Sequence, residues 1–456
     1  MGTKAQELAR FIRKTQYKHL DEETILTLKR SILDTLGVAI AAIEAPPLRA
    51  LRVHANDFNP TGTSTLIGDG RGAPDIAAFY NAGLIGYLDF QDGYMARNES
   101  AHPSIILGGI LAALEYRGGD GKDLLTAMAI GYQIIAKMCD QLSARDCGLD
   151  RTLHTSTATA AAVGKILDLD EERLAHAIAI SATSSLALRS TRTGSLSDWT
   201  HMAVPDAVRR GLDAAFLAMR GITGPSQVFE GSEGIGEMLG VSLDVDWEPG
   251  VVDRVSRVNL RKYNADIHAQ SAIEMTIQLR AHHDINPEHV TRVEVETFEL
   301  AHELIGGGNG DDRTDVMNRE EAARSLPFLV SAALLDGKLD PSQYRHRRIR
   351  QQDMQKMTDL IEVSSSKALT KAFPDELGCK ITIHLEDGQS FSCEKTSYSG
   401  HHTKPMSWEQ VTAKFNTLTE DFANDQLRNA TIALCEEIEK HPVDNISRVL
   451  ARVEPQ

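Results

Sequence analysis

Three carboxylates and a histidine crowd one short stretch, Asp89-Phe90-Gln91-Asp92, followed by Glu99 and then His102-Pro103. Apolar, helix-like segments flank it on both sides. Carboxylates beside a histidine form a general acid–base set, because a neighbouring carboxylate orients and tunes an imidazole. The same residues also fit a plainer account, with Asp92 capping a helix and His102 structural. A second group is Arg189 and Arg192, three positions apart after an apolar helix. Guanidinium groups so placed could each grip a carboxylate through two parallel hydrogen bonds, although exposed arginines are common. A third is Lys262, Asp266 and His268, just before an amphipathic helix over 269–279. A surface lysine and a capping histidine would look the same.

Other chemistries lack their signatures. No GxGxxG follows a strand, and there is no Walker loop, HExxH or GxSxG. The glycine-rich Gly231–Gly236 run has no strand before it and is expected to be a loop. The five cysteines show no CxxC pair, which argues against a disulfide framework and a structural zinc site. The histidines are scattered and not paired at helical spacing, so the expectation is no metal and no nucleotide cofactor. A net charge of −16 should repel nucleic acid and anionic membrane. The basic run Tyr344–Arg350 matches no nucleic-acid motif and is expected to be solvated surface. The first residues have no apolar signal core and no stretch is apolar enough to span a membrane, so the expected location is cytoplasmic.

A chain of 456 residues, 42% hydrophobic, is long enough for more than one domain. The first 240 residues read as successive helices. Asp21 can cap a segment through Ile40 that Pro46-Pro47 ends, and Pro74 suits a first helical turn. Further helices are expected over 103–116, 122–138, 154–167, 171–188 with Asp170 as cap, and 205–219. Small residues such as Ala160-Ala161-Ala162 allow close helix–helix approach. After residue 285 the period changes. Val293, Val295 and Thr297 alternate with glutamates, and Ile381, Ile383 and Leu385 are followed by Asp387-Gly388 and then Phe391 and Cys393, the pattern of a hairpin. Helical spacing returns over 408–449. The expected fold is mainly α: a large all-α domain over 1–265, completed by 406–456, and a smaller α+β domain over 266–405.

Together these segments resemble the MmgE/PrpD family. Leu88-Asp89-Phe90-Gln91-Asp92, His102-Pro103-Ser104 and Gly108-Gly109-Ile110-Leu111-Ala112 are similar to its LDxxD, HPS and GGILA signature. Asp34-Thr35-Leu36-Gly37, Gly221–Pro225, the run His268–Glu274, Ser325-Leu326-Pro327-Phe328 and Leu334–Gly337 resemble further family segments, so the likeness spans about residues 20 to 400. It implies a helical domain with an α+β lid, a homodimer, and chemistry on a small polycarboxylate without metal or nucleotide. Activities of the family include 2-methylcitrate dehydration, cis-aconitate decarboxylation and iminodisuccinate epimerisation.

The resemblance assigns catalysis to Asp89, His102, Lys262 and His268, and substrate binding to Asp92, His154, Arg189, Arg192 and Arg324. The arginine pair tilts the expectation toward a hydro-lyase. Related epimerase or decarboxylase activity, or metabolite binding without catalysis, are the alternatives. The sequence also departs from the family. Ser197 or Asp198 stands where many members carry a lysine, Gly93 replaces a threonine, Phe328 a tyrosine and Arg324 a histidine. The expectation is that Asp89, His102, Arg192, Lys262 and His268 converge on one pocket between the domains.

Overall fold

A computed structural model describes residues 2–58, 62–68, 70–193, 197–310 and 312–454. The Gly194 end of the segment expected to hold the family lysine lies outside the described residues. The fold is mainly α, and the chain separates into two compact units, residues 1–258 with 407–456, and residues 259–406.

In the first unit each helix begins where local chemistry allows. Asp21 accepts the Thr24 N–H at 2.8 Å and starts the Glu22–Ala41 helix, and Asp170 does the same for Glu171–Ser184 through Arg173 N. Pro46 does not merely end a helix but opens the next one, Pro46–Phe58. Two boundaries differ from expectation. The helix after Asp170 stops at Ser184, not Leu188, because the chain from 185 turns to pair with the segment before Thr152. The last long helix runs Trp199–Met219 with Pro205 inside it, so proline is not its start. His201 thereby loses the N–H that would have bonded its carbonyl.

Thr152–Ile166 and Trp199–Met219 pack together closely, and Gly211 explains how. A Cβ there would lie 2.4 Å from the Ser156 carbonyl and 2.7 Å from Thr159 Cβ. On the Thr152–Ile166 helix the buried Thr155 and Thr159 hydroxyls donate to carbonyls four residues back, Thr159 to the Thr155 carbonyl at 2.7 Å. The C-terminal Trp408–Thr419 helix packs on Glu22–Ala41, where Gly37 leaves room for Phe415.

The second unit holds a four-stranded mixed sheet in the order Ile361–Ser365, Val290–Thr297, Cys379–Leu385, Ser390–Lys395. The last two strands form the hairpin expected through Asp387-Gly388, with Gly388 at φ 85°. Ile361–Ser365 was not foreseen; it pairs in parallel with Val290–Thr297. Val293, Val295, Ile381 and Ile383 are fully buried and belong to one core with residues of the helices Gln270–His282 and Leu326–Asp336. In the basic run, Arg348 is bound by both Asp336 oxygens while Arg345 and Arg347 are exposed. Gly236 sits in a short helix, Ile235–Leu239, and is not purely loop. All five cysteines are free. Among the described residues no single helix is long and apolar enough to cross a membrane.

Candidate active site

The His102 turn is built by the chain leaving the Pro74–Tyr87 helix. Asp89 takes a left-handed conformation, φ 49°, which aspartate tolerates better than most residues. The chain then buries Phe90, Gln91 and Asp92, makes a short ladder of Tyr94–Met95 with Ser100–Ala101, and reaches His102. His102 stands immediately before a helical turn, Pro103–Ile106, that runs into Leu107–Arg117.

His102 Nδ1 lies 2.7 Å from the Asp92 carbonyl. A carbonyl only accepts, so Nδ1 carries the proton and the lone pair of the neutral ring is on Nε2. Nε2 is 3.8 Å from Asp89 Oδ1, too long for a hydrogen bond but within ion-pair reach once the imidazole is charged. The His102 side chain is 11% exposed and that of Asp89 43%. Asp92 turns the other way. Its side chain is wholly buried, accepting Ser104 N–H at 3.1 Å and the Tyr132 hydroxyl at 2.7 Å. Burial pushes its carboxyl up to about 6 against the pull of those two donors. Behind this turn, Lys414 pairs with buried Asp34 at 2.7 Å, donates to the Phe90 carbonyl at 3.0 Å and sits over the Phe90 ring.

Guanidinium groups gather beside the turn. The segments 148–152 and 185–189 are zipped together by Asp150 N to Ala187 O at 2.8 Å and Arg189 N to Gly148 O at 2.9 Å. This places Arg151, Arg189 and Arg192 around Asp150. Arg192 Nε meets Asp150 Oδ2 at 2.7 Å and the Thr191 hydroxyl adds a bond at 2.8 Å. Burial alone would raise the Asp150 carboxyl, but Arg192 and Arg151 hold it below the usual carboxylate range. Arg151 donates to the Ser100 carbonyl at 2.9 Å, two residues before His102, and feels the charges of Asp89 and Arg192 alike. Among the described residues the half-buried Arg189 guanidinium makes no hydrogen bond or ion pair. Burial, then repulsion from Arg151 and Arg192, pushes it down to about 10. A desolvated guanidinium among like charges is a seat for an anion.

The second unit carries its own charged set. Lys262 Nζ lies 3.2 Å from Glu274 Oε1, and Lys395 Nζ 3.1 Å from Oε2. Ser399 N–H also donates to Glu274. Burial raises the Glu274 carboxyl, yet the two lysines outweigh it and keep it low. Burial likewise works against the Lys262 ammonium, but Tyr263 and Glu274 raise it overall. His268 Nδ1 is 2.6 Å from Asp266 Oδ1, and its buried ring lies against Phe298 and Phe373. Such a pair can hold the imidazole in one tautomer. Arg324 ends the Arg319–Ala323 helix, half-buried. Phe328 is fully buried in the core of this unit.

Within the first unit the structure brings Asp89, His102, Arg189 and Arg192 into one neighbourhood, with Arg151 as the link. Asp92 and His154 face into the fold. His154 is fully buried with Nε2 at 3.0 Å from the Leu142 carbonyl, and burial lowers its pKa. Asp198 precedes Trp199–Met219 without a side-chain cap bond, and Ser197 contributes its carbonyl to Thr200 N. Arg151, Asp150, Lys395 and Lys414 were not singled out from the sequence, and Glu274 stood there only as the end of a family-like run. The signal that could have found the first two is a charged Asp150-Arg151 pair at the entrance of an otherwise small and apolar helix. Among the described residues no group of His, Cys, Asp or Glu is arranged to hold a metal ion.

Comparison with known proteins gives a consistent result along the chain. The profile of the MmgE/PrpD N-terminal domain matches residues 6–248, and that of the MmgE/PrpD C-terminal domain matches residues 263–438. The chain is 24% identical over 437 residues to a cis-aconitate decarboxylase of Mus musculus, covering 90% of this chain and 85% of that protein. It is 25% identical to a probable 2-methylcitrate dehydratase of Saccharomyces cerevisiae, with 84% and 78% covered. It is 24% identical to the 2-methylcitrate dehydratase of Escherichia coli, with 82% and 81% covered.

Proposed function

The chain belongs to the MmgE/PrpD family, and from that premise we propose that it is a hydro-lyase that dehydrates a small hydroxy polycarboxylate such as 2-methylcitrate. The observation that carries this reading is the gathering of Arg151, Arg189 and Arg192 beside the His102–Asp89 pair. The guanidiniums bind the carboxylates of the substrate. His102 Nε2 takes the proton from the carbon next to one of them. That proton is barely acidic, so the charge that spreads onto the carboxylate must be met by fixed positive groups. Asp89 then stabilises the imidazolium.

On the same reading Lys262 and His268 serve this substrate too. Lys262 holds a further carboxylate, and His268, steadied by Asp266, gives a proton to the departing hydroxyl. The C–H and C–O bonds break, a C=C bond forms, and water leaves. The scheme calls on no metal or cofactor. Each tuned acid–base group contributes about 10²–10⁴-fold.

The mouse relative favours a second reading, decarboxylation, which shares the proton transfer but releases CO₂ in place of water. The test is to incubate the purified chain with hydroxy di- and tricarboxylates and with cis-aconitate, following ultraviolet absorbance and CO₂. A rise in conjugated C=C without CO₂ supports dehydration. CO₂ from cis-aconitate with no action on hydroxy acids replaces it with the second reading.

A further inference from the structure

Asp92 is part of the signature stretch, yet the mechanism above gives it no step. Its side chain has no exposed surface, so it does not meet substrate in this structure. Its bonds make a clamp. The backbone carbonyl takes the proton of His102 Nδ1 at 2.7 Å. The carboxylate takes the N–H of Ser104, two residues past His102, at 3.1 Å. One residue thereby grips the His102-Pro103-Ser104 turn on both sides of the proline.

The clamp is itself held. Tyr132, on the Gly121–Gln141 helix, donates to the second carboxylate oxygen at 2.7 Å. Asp34 of the Glu22–Ala41 helix lies near enough for its charge to reach Asp92, and is neutralised by Lys414 at 2.7 Å. Lys414 also donates to the carbonyl of Phe90, two residues before Asp92. Three helices thus converge behind one turn, and the bonds from Tyr132 and Lys414 restrict the geometry it can take.

We propose that Asp92 is a positioning residue that fixes His102 as the Nδ1–H tautomer, with Nε2 presented as the base. The proposal rests on the reading that His102 moves the proton. The Asp92 carbonyl can accept only from a protonated Nδ1, and Ser104 N–H holds the backbone that aims the ring. The role is hydrogen-bond acceptance and not charge. An amide could serve it, with its oxygen taking Ser104 N–H and its NH₂ donating to the Tyr132 oxygen.

The experiment is nitrogen NMR of protein labelled in its histidine rings, with His102 assigned by the signal lost in His102→Gln, together with steady-state kinetics of the variants. We expect wild type to show His102 as Nδ1–H. Asp92→Asn should keep that signature and stay within a few-fold of wild-type kcat. Asp92→Ala should give mixed tautomers and a kcat lower by about 10²-fold, the effect of a small misplacement, with KM little changed. A residue needed only for stability would lower the melting temperature of Asp92→Ala and leave both tautomer and kcat alone. That result overturns the proposal, as does an Nε2–H signature in wild type, or an Asp92→Asn variant as impaired as Asp92→Ala. If Asp92→Ala does not fold, the wild-type tautomer and Asp92→Asn still decide. If wild type turns over no polycarboxylate, the functional reading fails while the tautomer measurement continues to test the clamp.

Discussion

Replacing Arg192 by alanine should expose how the guanidinium cluster is built. The Arg192 side chain is 14% exposed and that of Asp150 0%, with Nε 2.7 Å from Oδ2. Removing one partner of a buried pair strands the other charge, which typically costs about 3–5 kcal/mol. Arg151 and the Thr191 hydroxyl still face Asp150, so the lower end, about 3 kcal/mol, applies here. For a unit of this size this corresponds to a melting temperature lower by about 5 °C. The pH dependence has a definite sign. In the wild type the arginines hold Asp150 below the usual carboxylate range. Its contribution is therefore present above the unfolded-state pKa and lost as pH falls through the lower folded value. In Arg192→Ala burial is less opposed, so the carboxyl moves up and protonates earlier on acidification. The deficit should then be largest near neutral pH and narrow as pH falls toward about 4, where Asp150 in the unfolded chain also takes up its proton. Melts recorded across that range, by calorimetry or circular dichroism, measure it. A deficit that is the same at every pH, or one below about 1 kcal/mol as for a surface pair, would refute the reasoning.

Three other outcomes follow from the same contacts. His102→Ala should lower kcat by about 10²–10⁴-fold while leaving the melting temperature close to wild type, since a proton-transfer group is lost and little core volume; activity and melting curves on one preparation check both. Lys262→Ala should act mainly on KM, by about 1.5–3 kcal/mol for a lost charge-assisted hydrogen bond, and kinetics with saturating substrate separates this from an effect on kcat. Gly211→Ala should destabilise by about 1–3 kcal/mol, because the added methyl meets the Ser156 carbonyl at 2.4 Å, and urea unfolding reads the change.

The elements that carried strong periodicity were legible. Helical spacing from Ile25 to Ile40, and the alternation around Val293 and Ile381, report which face of each element is buried. Ile361–Ser365 escaped because its alternation is too short to stand out, Ile361 and Val363 against Glu362 and Ser364, with only Ile361 buried. Trp199–Met219 was truncated because a proline inside a helix looks locally like a helix start. The histidine and aspartate of the His102 turn stood out as charges in an apolar setting. Their supports did not. Lys414 meets Asp34 across 380 positions, a pairing only the packed helices create. Arg151 reads as an ordinary residue at a helix entrance until the chain from Asp150 is zipped to Arg189. Asp92 could be read from sequence as a cap or a ligand; its burial decides that it works on the protein and not toward solvent.

The most direct test of the central claim is proton NMR of the purified chain with 2-methylcitrate in D₂O, run beside His102→Ala. We expect an unsaturated tricarboxylate and water to form with wild type, deuterium from solvent to enter the substrate carbon if the elimination reverses, and neither to occur with the variant. Formation of the unsaturated acid at an undiminished rate by His102→Ala, or no unsaturated product from 2-methylcitrate or any other hydroxy polycarboxylate with the wild type, would contradict the account.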